Sequence, residues 1–467
     1  MAAGSCLSND MATNRSTLTN LYLDEVKRRG IPASELLSGE KLKAELLQPF
    51  YRRRYLSRPL FLGRAERDQL ATDVMNLRAA LTSLPGRLYG GDLTAFARAV
   101  GMNDVQISAI LRSRNPAPTM LTRADLYLDQ IGFRLLEFNM GSAIGGIDNA
   151  DILKGMLEHP VLAEFVADHR LEYVDTMREQ VKTIKAETGF APDSRPMMVM
   201  TDWPSSYEGL ASYIDLYTGR LSELGLDACG GHIGQLEVRD GRVWLRDRPV
   251  DIIYRLFMIE DLLEYPDAPA LVHPILDAVA RGEVKIFTPM DDALYASKGA
   301  LAMLSDEGNR HLLDPEELAS ADRILPWTRM VRGGPVSLED GSQADLLEYA
   351  LGHQRELALK PTSLHGGSGV LLGWREDTSP AMWEEQVRAA LDGPYVIQRR
   401  IRPVLELCPA EDPSPQPWII SWGAFTMSSG FAGVFARGSS VESDVEVINI
   451  GTGAYSGSAL YPEGEAG

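Results

Sequence analysis

The strongest constraint on this chain is residues 122–139, TRADLYLDQIGFRLLEFN, where two short apolar stretches flank a turn signal at 129–132. Side chains alternate across a strand, so Glu137 and Asn139, two residues apart, leave the same face of the second stretch. Asp125 stands in the first stretch, two residues after Arg123. The pattern predicts a β-hairpin that carries Asp125, Glu137 and Asn139 as hard oxygen donors. Such a set suits Mg²⁺, which binds through one or two carboxylates together with nucleotide phosphates. Surface hairpins also carry acids without binding anything, so this segment alone fits a plain solvated hairpin as well.

A second feature lies more than two hundred residues downstream, in residues 356–373, ELALKPTSLHGGSGVLLG. It reads as strand, Lys360, glycine-rich turn, strand. Glycines at 366, 367 and 369 let backbone N–H groups approach an anion closely, and Lys360 adds a point positive charge. The lysine precedes the glycines and no capped helix follows them, so this is not the Walker arrangement. Many glycine-rich hairpin loops are simply turns. Residues 393–401, GPYVIQRRI, form an apolar strand that emerges into charge at Gln398, fit to act as a hinge whose backbone pairs with adenine.

Together these segments resemble the ATP-grasp superfamily, specifically its circularly permuted branch related to glutathionylspermidine synthetase. Ordinary ATP-grasp chains bind adenine and phosphate first and end with the metal-binding Glu and Asn, whereas here Glu137 and Asn139 come before Lys360. The branch's Arg-x-Asp, eleven-residue gap, Glu-x-Asn pattern matches Arg123, Asp125, Glu137 and Asn139 without insertion. Residues 296–304, ASKGALAML, resemble its Asn-Lys-then-helix element, with Ser297 where asparagine is common. Residues 250–257, VDIIYRLF, look like its buried strand ending in a basic residue, Arg255, and residues 433–450 look like its closing strands, which contain Arg437. The resemblance covers dispersed motifs between about 120 and 455.

The implied fold class is α/β (α+β): a circularly permuted ATP-grasp fold with an N-terminal helical region and a pre-grasp α/β unit. The implied activity is ligation of a carboxylate to an amine through an acyl phosphate, with ATP and Mg²⁺ as cofactors, on a small molecule or peptide. Asp125, Glu137 and Asn139 would hold metal. Lys298, Lys360, Gly366, Gly367, Gly369 and Gln398 would hold nucleotide, and Arg123 and Arg437 would face the acyl phosphate. Arg437 reads equally as the partner of a structural acid, and Lys298 and Lys360 as surface lysines. Glu208, in WPSSYEG, is either a contact to the amine substrate or part of a helix cap formed with Ser205 and Ser206. Among the scattered histidines only His365, within the glycine loop, has a claim on function, and whether it or Arg255 contacts substrate stays open. Two other classes stay open: a small-molecule kinase on the same fold, and a non-catalytic ATP-binding scaffold.

Composition fits a multidomain globular enzyme. A chain of 467 residues with 45% apolar content exceeds one core, and its net charge of −19 argues against a nucleic-acid groove. No long uncharged apolar run exists, and the opening MAAGSCLSND lacks the features of a secretory leader, so no membrane partner is expected. Three scattered cysteines, Cys6, Cys229 and Cys408, give no disulfide framework or zinc motif, and the cytoplasm is the expected compartment. Cys229, beside Gly230, Gly231 and His232, reads as a small residue before a strand in preference to a nucleophile.

The expected organisation is a disordered start (1–18), an all-helical cap (19–115), a metal-binding hairpin with a pre-grasp α/β domain (116–275) and a nucleotide-binding domain (276–467). Residues 42–55, containing Arg52–Arg54 as a solvated face, and the long stretch 151–188 are expected to be helical. The cap would shape the acceptor site or a homodimer contact.

Overall fold

The computed structural model describes residues 16–113, 117–265, 267–364, 366–412, 414–443 and 447–464. Its largest sheet has eight strands and joins distant parts of the chain. The order is Leu60–Phe61, Tyr455–Pro462, Gly430–Ser440, Gln416–Met427, Thr122–Leu128, Phe133–Met140, with Leu171–Glu172 and Glu406–Cys408 paired to it at the sides. The predicted hairpin forms its edge. Arg123 faces Asn139 and Asp125 faces Glu137, while Leu126 pairs with Leu135, so Leu136 is an extra residue bulged from the ladder. A bulge leaves backbone groups unpaired and re-aims its neighbours.

A second sheet has four parallel strands, ordered Lys285–Phe287, Ile252–Arg255, Met197–Asp202, Asp227–His232. Helix Pro204–Glu223 connects Met197–Asp202 to Asp227–His232, so this stretch forms an α/β unit. Every residue of Met197–Asp202 is buried, as a central parallel strand requires. The third sheet is antiparallel, ordered Thr328–Met330, Tyr395–Arg399, Leu357–Pro361, Leu371–Leu372. Helices Leu346–Gly352 and Pro380–Ala390 bury Leu346, Trp383 and Val387 against Leu357, Leu359 and Ile397, forming a core of their own.

Several expectations are corrected. The region 19–115 is not all helical, because Leu60–Phe61 pairs in parallel with Tyr455–Pro462 in the main sheet. The long helix Arg64–Tyr89 places Leu70, Val74 and Leu77 in one core with Ala424, Val434 and Ala436 of that sheet. Residues 42–55 hold only a short 3₁₀ turn, Glu40–Lys43, and the one-turn helix Gln48–Tyr51. Arg52 and Arg53 adopt positive φ of 46° and 58°, which ends the helix, and Arg54 donates to the Ile450 carbonyl at 3.0 Å. The stretch 151–188 splits into Asn149–Met156, Pro160–His169 and Thr176–Thr188; Pro160 restarts the helix and Arg170 ends it in the left-handed region. The first helix begins at Thr17 behind the cap Ser16; residues 1–15, including Cys6, lie outside the described residues. The boundary at 275/276 falls inside helix Ala268–Ala280, whose following strand Lys285–Phe287 completes the parallel sheet.

Candidate active site

A cleft of about 120 Å³ opens between the hairpin and the third sheet. Asp125, Glu137, Lys298, Lys360, Gly366, Gly367, Gln398 and Arg437 all line it. Lys298 opens helix Lys298–Leu304 behind Ser297, whose hydroxyl accepts from the Gly299 N–H at 3.1 Å. Its Nζ lies 3.3 Å from Glu137 Oε2 and donates to the Leu364 carbonyl at 3.0 Å. Lys360 Nζ donates to the carbonyl of the bulged Leu136 at 3.1 Å and to Gln398 Oε1. Burial, reinforced by the like charge of Lys298, lowers the Lys360 ammonium to about 8, with Glu137 opposing. Two lysines and one carboxylate thus meet under a glycine loop in which Gly366 and Gly367 have φ of +66° and +84°. Asn449 Nδ2 donates to the Gly366 carbonyl at 3.0 Å, tying that loop to the C-terminal segment.

Asp125 occupies a different position from a free cation ligand. Arg123 grips it with two bonds of 2.7 and 2.9 Å, Arg437 reaches its Oδ2 at 2.8 Å, and Asn139 Nδ2 donates to the same oxygen at 3.1 Å. Burial pushes its carboxyl up, but the two guanidinium groups outweigh this and hold it well below the usual range. Arg123 also donates to the Gly145 carbonyl at 2.7 Å, so its three guanidinium nitrogens are all engaged. Arg437 donates to Ser421 Oγ at 3.1 Å, while its buried Nε has no partner among the described residues. Among the described residues no group of three His, Cys, Asp or Glu side chains gathers to hold a metal. What the hairpin offers is the Glu137 carboxylate beside the Asn139 amide oxygen, both hard donors on one strand face.

Gln398 lies in a strand paired on both sides, opposite Thr328 and Ala358, so its backbone cannot serve as an adenine hinge. Its side chain joins Lys360 to Thr328 instead, donating to Thr328 Oγ1 at 3.2 Å. Arg399 and Arg400 donate backbone N–H to Trp327 and Glu356, and Ile401 is the first residue of this run without a backbone partner among the described residues. Beside it, the Arg400 guanidinium lies 4.6 Å from the Trp374 ring centre, and Ile401, Arg400 and Trp374 all line the cleft. Gly369 lies outside the lining, against Pro361. His365 lies outside the described residues. Trp374, Ile401 and the Leu136 carbonyl escaped the sequence reading, because nothing in their local sequence marks them.

A larger cavity of about 540 Å³ shares Glu137, Arg437, Gly366 and Asn449 with the cleft, so the two are contiguous. Arg123, Asn139, Arg255, Asp202, Glu260, Asp261 and a group of aromatic side chains line it. Arg255 is buried and donates to the carbonyls of Thr288, Phe257 and Pro289. Glu208 is exposed on helix Pro204–Glu223 and outside this lining; the cap position is Trp203, followed by Pro204, and not Ser205 or Ser206. Cys229 is half-buried in the parallel sheet, where burial raises its thiol, and lines neither cavity. No helix among the described residues is long and apolar enough to cross a membrane.

No family model matches the chain, and no curated protein matches it in sequence. A glutathione synthetase-like effector from Globodera pallida, solved in its apo form, is similar in structure. It has a TM-score of 0.55 at 14% identity, over 87% of this chain and 89% of that one. A candidate gamma-glutamylcysteine synthetase from Methylobacillus flagellatus KT gives a TM-score of 0.42 at 13% identity, over 86% and 89%. The first likeness is one of fold, and this chain shares with that structure a mixed α/β architecture of several sheets.

Proposed function

We propose that this protein is an ATP-dependent carboxylate–amine ligase of circularly permuted ATP-grasp type, releasing ADP and phosphate. One observation carries the reading: Lys298, Lys360 and Glu137 converge under a glycine loop, in a cleft that opens directly into a separate, larger cavity. A polyphosphate fits the first compartment and an acyl substrate the second. The permuted order is supported by the hairpin from the first third of the chain, which pairs with the C-terminal strand Gln416–Met427.

Lys298 and Lys360 hold phosphate oxygens, and the loop carrying Gly366 and Gly367 covers them, excluding water from an acyl phosphate. The flat side of a base stacks near Trp374, with Ile401 free to offer backbone hydrogen bonds. Glu137 and the Asn139 amide oxygen would hold Mg²⁺, which when bound neutralises phosphate charge during transfer. In this reading Asp125 serves chiefly as an anchor, fixing Arg123 and Arg437 at the junction of the two compartments. Arg437 then stabilises charge developing on the acyl phosphate and on the tetrahedral species formed by amine attack.

The experiment is ADP release from the purified protein with Mg-ATP and pooled carboxylates, with and without pooled amines, in parallel with Glu137→Gln. Amine-dependent ADP release with a matching amide mass, lost in the variant, is expected. ADP release without an amine requirement, with a stable phosphorylated product, would make it a kinase. Absence of Mg-ATP binding by calorimetry would end the ATP reading.

A further inference from the structure

Helix Pro204–Glu223 turns Leu210, Tyr213, Ile214 and Tyr217 to the larger cavity, a spacing of three and four residues that gathers them on one helix face. Three other elements add to that surface: the one-turn helix Gln48–Tyr51 with Phe50 and Tyr51, the strand Gly430–Ser440 with Phe435, and the strand Ile252–Arg255 with Tyr254. The rings meet in series. The Phe50 and Tyr213 ring centres are 4.1 Å apart, those of Tyr213 and Tyr217 5.6 Å, and those of Tyr51 and Phe435 6.0 Å. Six aromatic side chains from distant parts of the chain thus surround one space of about 540 Å³. Protein interiors leave few spaces larger than a water molecule, so a compartment of this size bounded by rings has the character of a small-molecule site.

Three of the four tyrosines have their hydroxyls engaged within the protein: Tyr51 donates to Asp148, Tyr217 donates to Gln180 Oε1 at 2.8 Å, and Tyr254 donates to the Ser142 carbonyl at 2.9 Å while accepting from Gln180 at 2.7 Å. Asp148 and Gln180 are buried and outside the lining, so the hydroxyls of Tyr51 and Tyr217 are held from behind it. What these residues present to the cavity is ring surface, extended by Leu210, Ile214 and Met200. Another part of the lining holds Asp202, Glu260 and Asp261 together with Arg255, whose charge acts on all three carboxyls. That group has its counter-charge within the lining and singles out no ligand charge, which leaves the rings as the selective surface. The rings begin at the junction with the phosphate compartment. Phe435 stands two residues before Arg437 on the same strand face, with its ring centre 5.8 Å from the Arg437 guanidinium carbon, and Tyr51 lies next to it.

We infer that the substrate held by the larger cavity is a carboxylic acid whose body is an aromatic ring, or an apolar group of like size, only a few carbons from its carboxyl group. The carboxyl group lies toward the junction, and the ring lies along Phe435, Tyr51 and the inner face of helix Pro204–Glu223. A small polar acid would leave the ring surface bare, and a diacid would bring a second charge against it, at a desolvation cost that nothing on that surface offsets. The inference rests on the ligase reading for the fate of the carboxyl group; recognition of the ring does not require it.

The test is calorimetry on the full chain with phenylpropionate, propionate, glutarate and phenethylamine as probes, each titrated with and without Mg²⁺ and a non-hydrolysable ATP analogue. Phenylpropionate should bind at least about tenfold more tightly than any of the other three, and no less tightly when the analogue is present. Leu210 is half-buried beside Tyr213 and Ile214 in the lining, so Leu210→Trp fills part of the space; it should weaken phenylpropionate at least about tenfold while leaving the affinity for the analogue within about twofold. Four outcomes each overturn the inference: propionate, glutarate or phenethylamine binding as tightly as phenylpropionate, no binding of phenylpropionate, its displacement by the analogue, which would put the ring in the nucleotide cleft, or unchanged affinity in a folded Leu210→Trp. In each of these the ligase reading survives wherever the analogue binds. Should phenylpropionate show the expected preference while the analogue does not bind, the cavity assignment stands and the ligase reading falls. The probe series on the unaltered protein decides the matter even if the variant fails to fold.

Discussion

Lys360 shows how one buried charge can report on a site. Its folded-state ammonium is lowered to about 8 by burial and by Lys298, while the unfolded chain keeps the ordinary lysine value. Between those values the unfolded chain binds more protons, so this residue's contribution to stability rises with pH through the window and is lost as pH falls through about 8. Lys360→Met should therefore raise the melting temperature, relative to the unaltered protein, more at pH 7 than at pH 9.5, as measured by calorimetric scans. Phosphate binding needs the charged form, so nucleotide affinity should weaken as pH rises through about 8. Calorimetry in buffers of different ionisation enthalpy should detect proton uptake near that pH, absent in Lys360→Met. Lys298, Lys360 and Glu137 were legible in the sequence because each sits inside a short local signal, a helix start, a glycine turn or a strand face. The partners were not. Leu136 offers its carbonyl only because the hairpin register slips by one residue, and Asp125 becomes an arginine anchor only because the strand of Gln416–Met427 brings Gly430–Ser440, and with it Arg437, alongside.

Among elements, the glycine loop is the one whose sequence and geometry agree most closely, and it can be tested without touching a charged group. Gly367 has φ +84°, and a Cβ there would stand 2.3 Å from Val447 Cγ1, so Gly367→Ala combines backbone strain with a collision against the C-terminal segment. The strain alone costs about 1–2 kcal/mol. Nucleotide affinity should fall by roughly tenfold with little change in the main melting transition, since the loop lies outside the packed cores. Gly132→Ala, in the hairpin turn with nothing within 4 Å, should match the unaltered protein in both measurements. Periodicity identified the hairpin, the parallel unit and the Lys360 strand, where local pattern and final structure share a repeat. It failed at residues 42–55, where Leu42, Leu46, Leu47, Tyr51 and Tyr55 are all buried at helical spacing. There the chain folds over the core in short turns, and positive φ at Arg52 and Arg53 breaks the helix that the spacing predicts.

For the whole molecule, the open question is whether the first hundred residues form a separable cap or part of the main fold. A cap would leave the boundary at 115/116 crossed by few contacts, which is how composition and helical periodicity read it. The structure binds this region into the central sheet at a point no local pattern reveals. Arg58, with a fully buried side chain, donates to Glu406 at 2.6 Å, to the Leu407 carbonyl at 2.7 Å and to the Pro59 carbonyl at 2.9 Å, immediately before Leu60–Phe61 joins Tyr455–Pro462. Removing one partner of such a pair leaves a buried charge and unmet carbonyls, a loss of about 3–5 kcal/mol. Arg58→Met should therefore lower the main unfolding transition, that of the central sheet together with the first hundred residues, because helix Arg64–Tyr89 and the central sheet share one core. Calorimetry with limited proteolysis separates the alternatives: a separable cap would release residues before 115 early and leave the main transition in place. Loss of nucleotide binding in step with that transition is the expected result, since the strand that carries Arg437 stands next to the one that receives Leu60–Phe61.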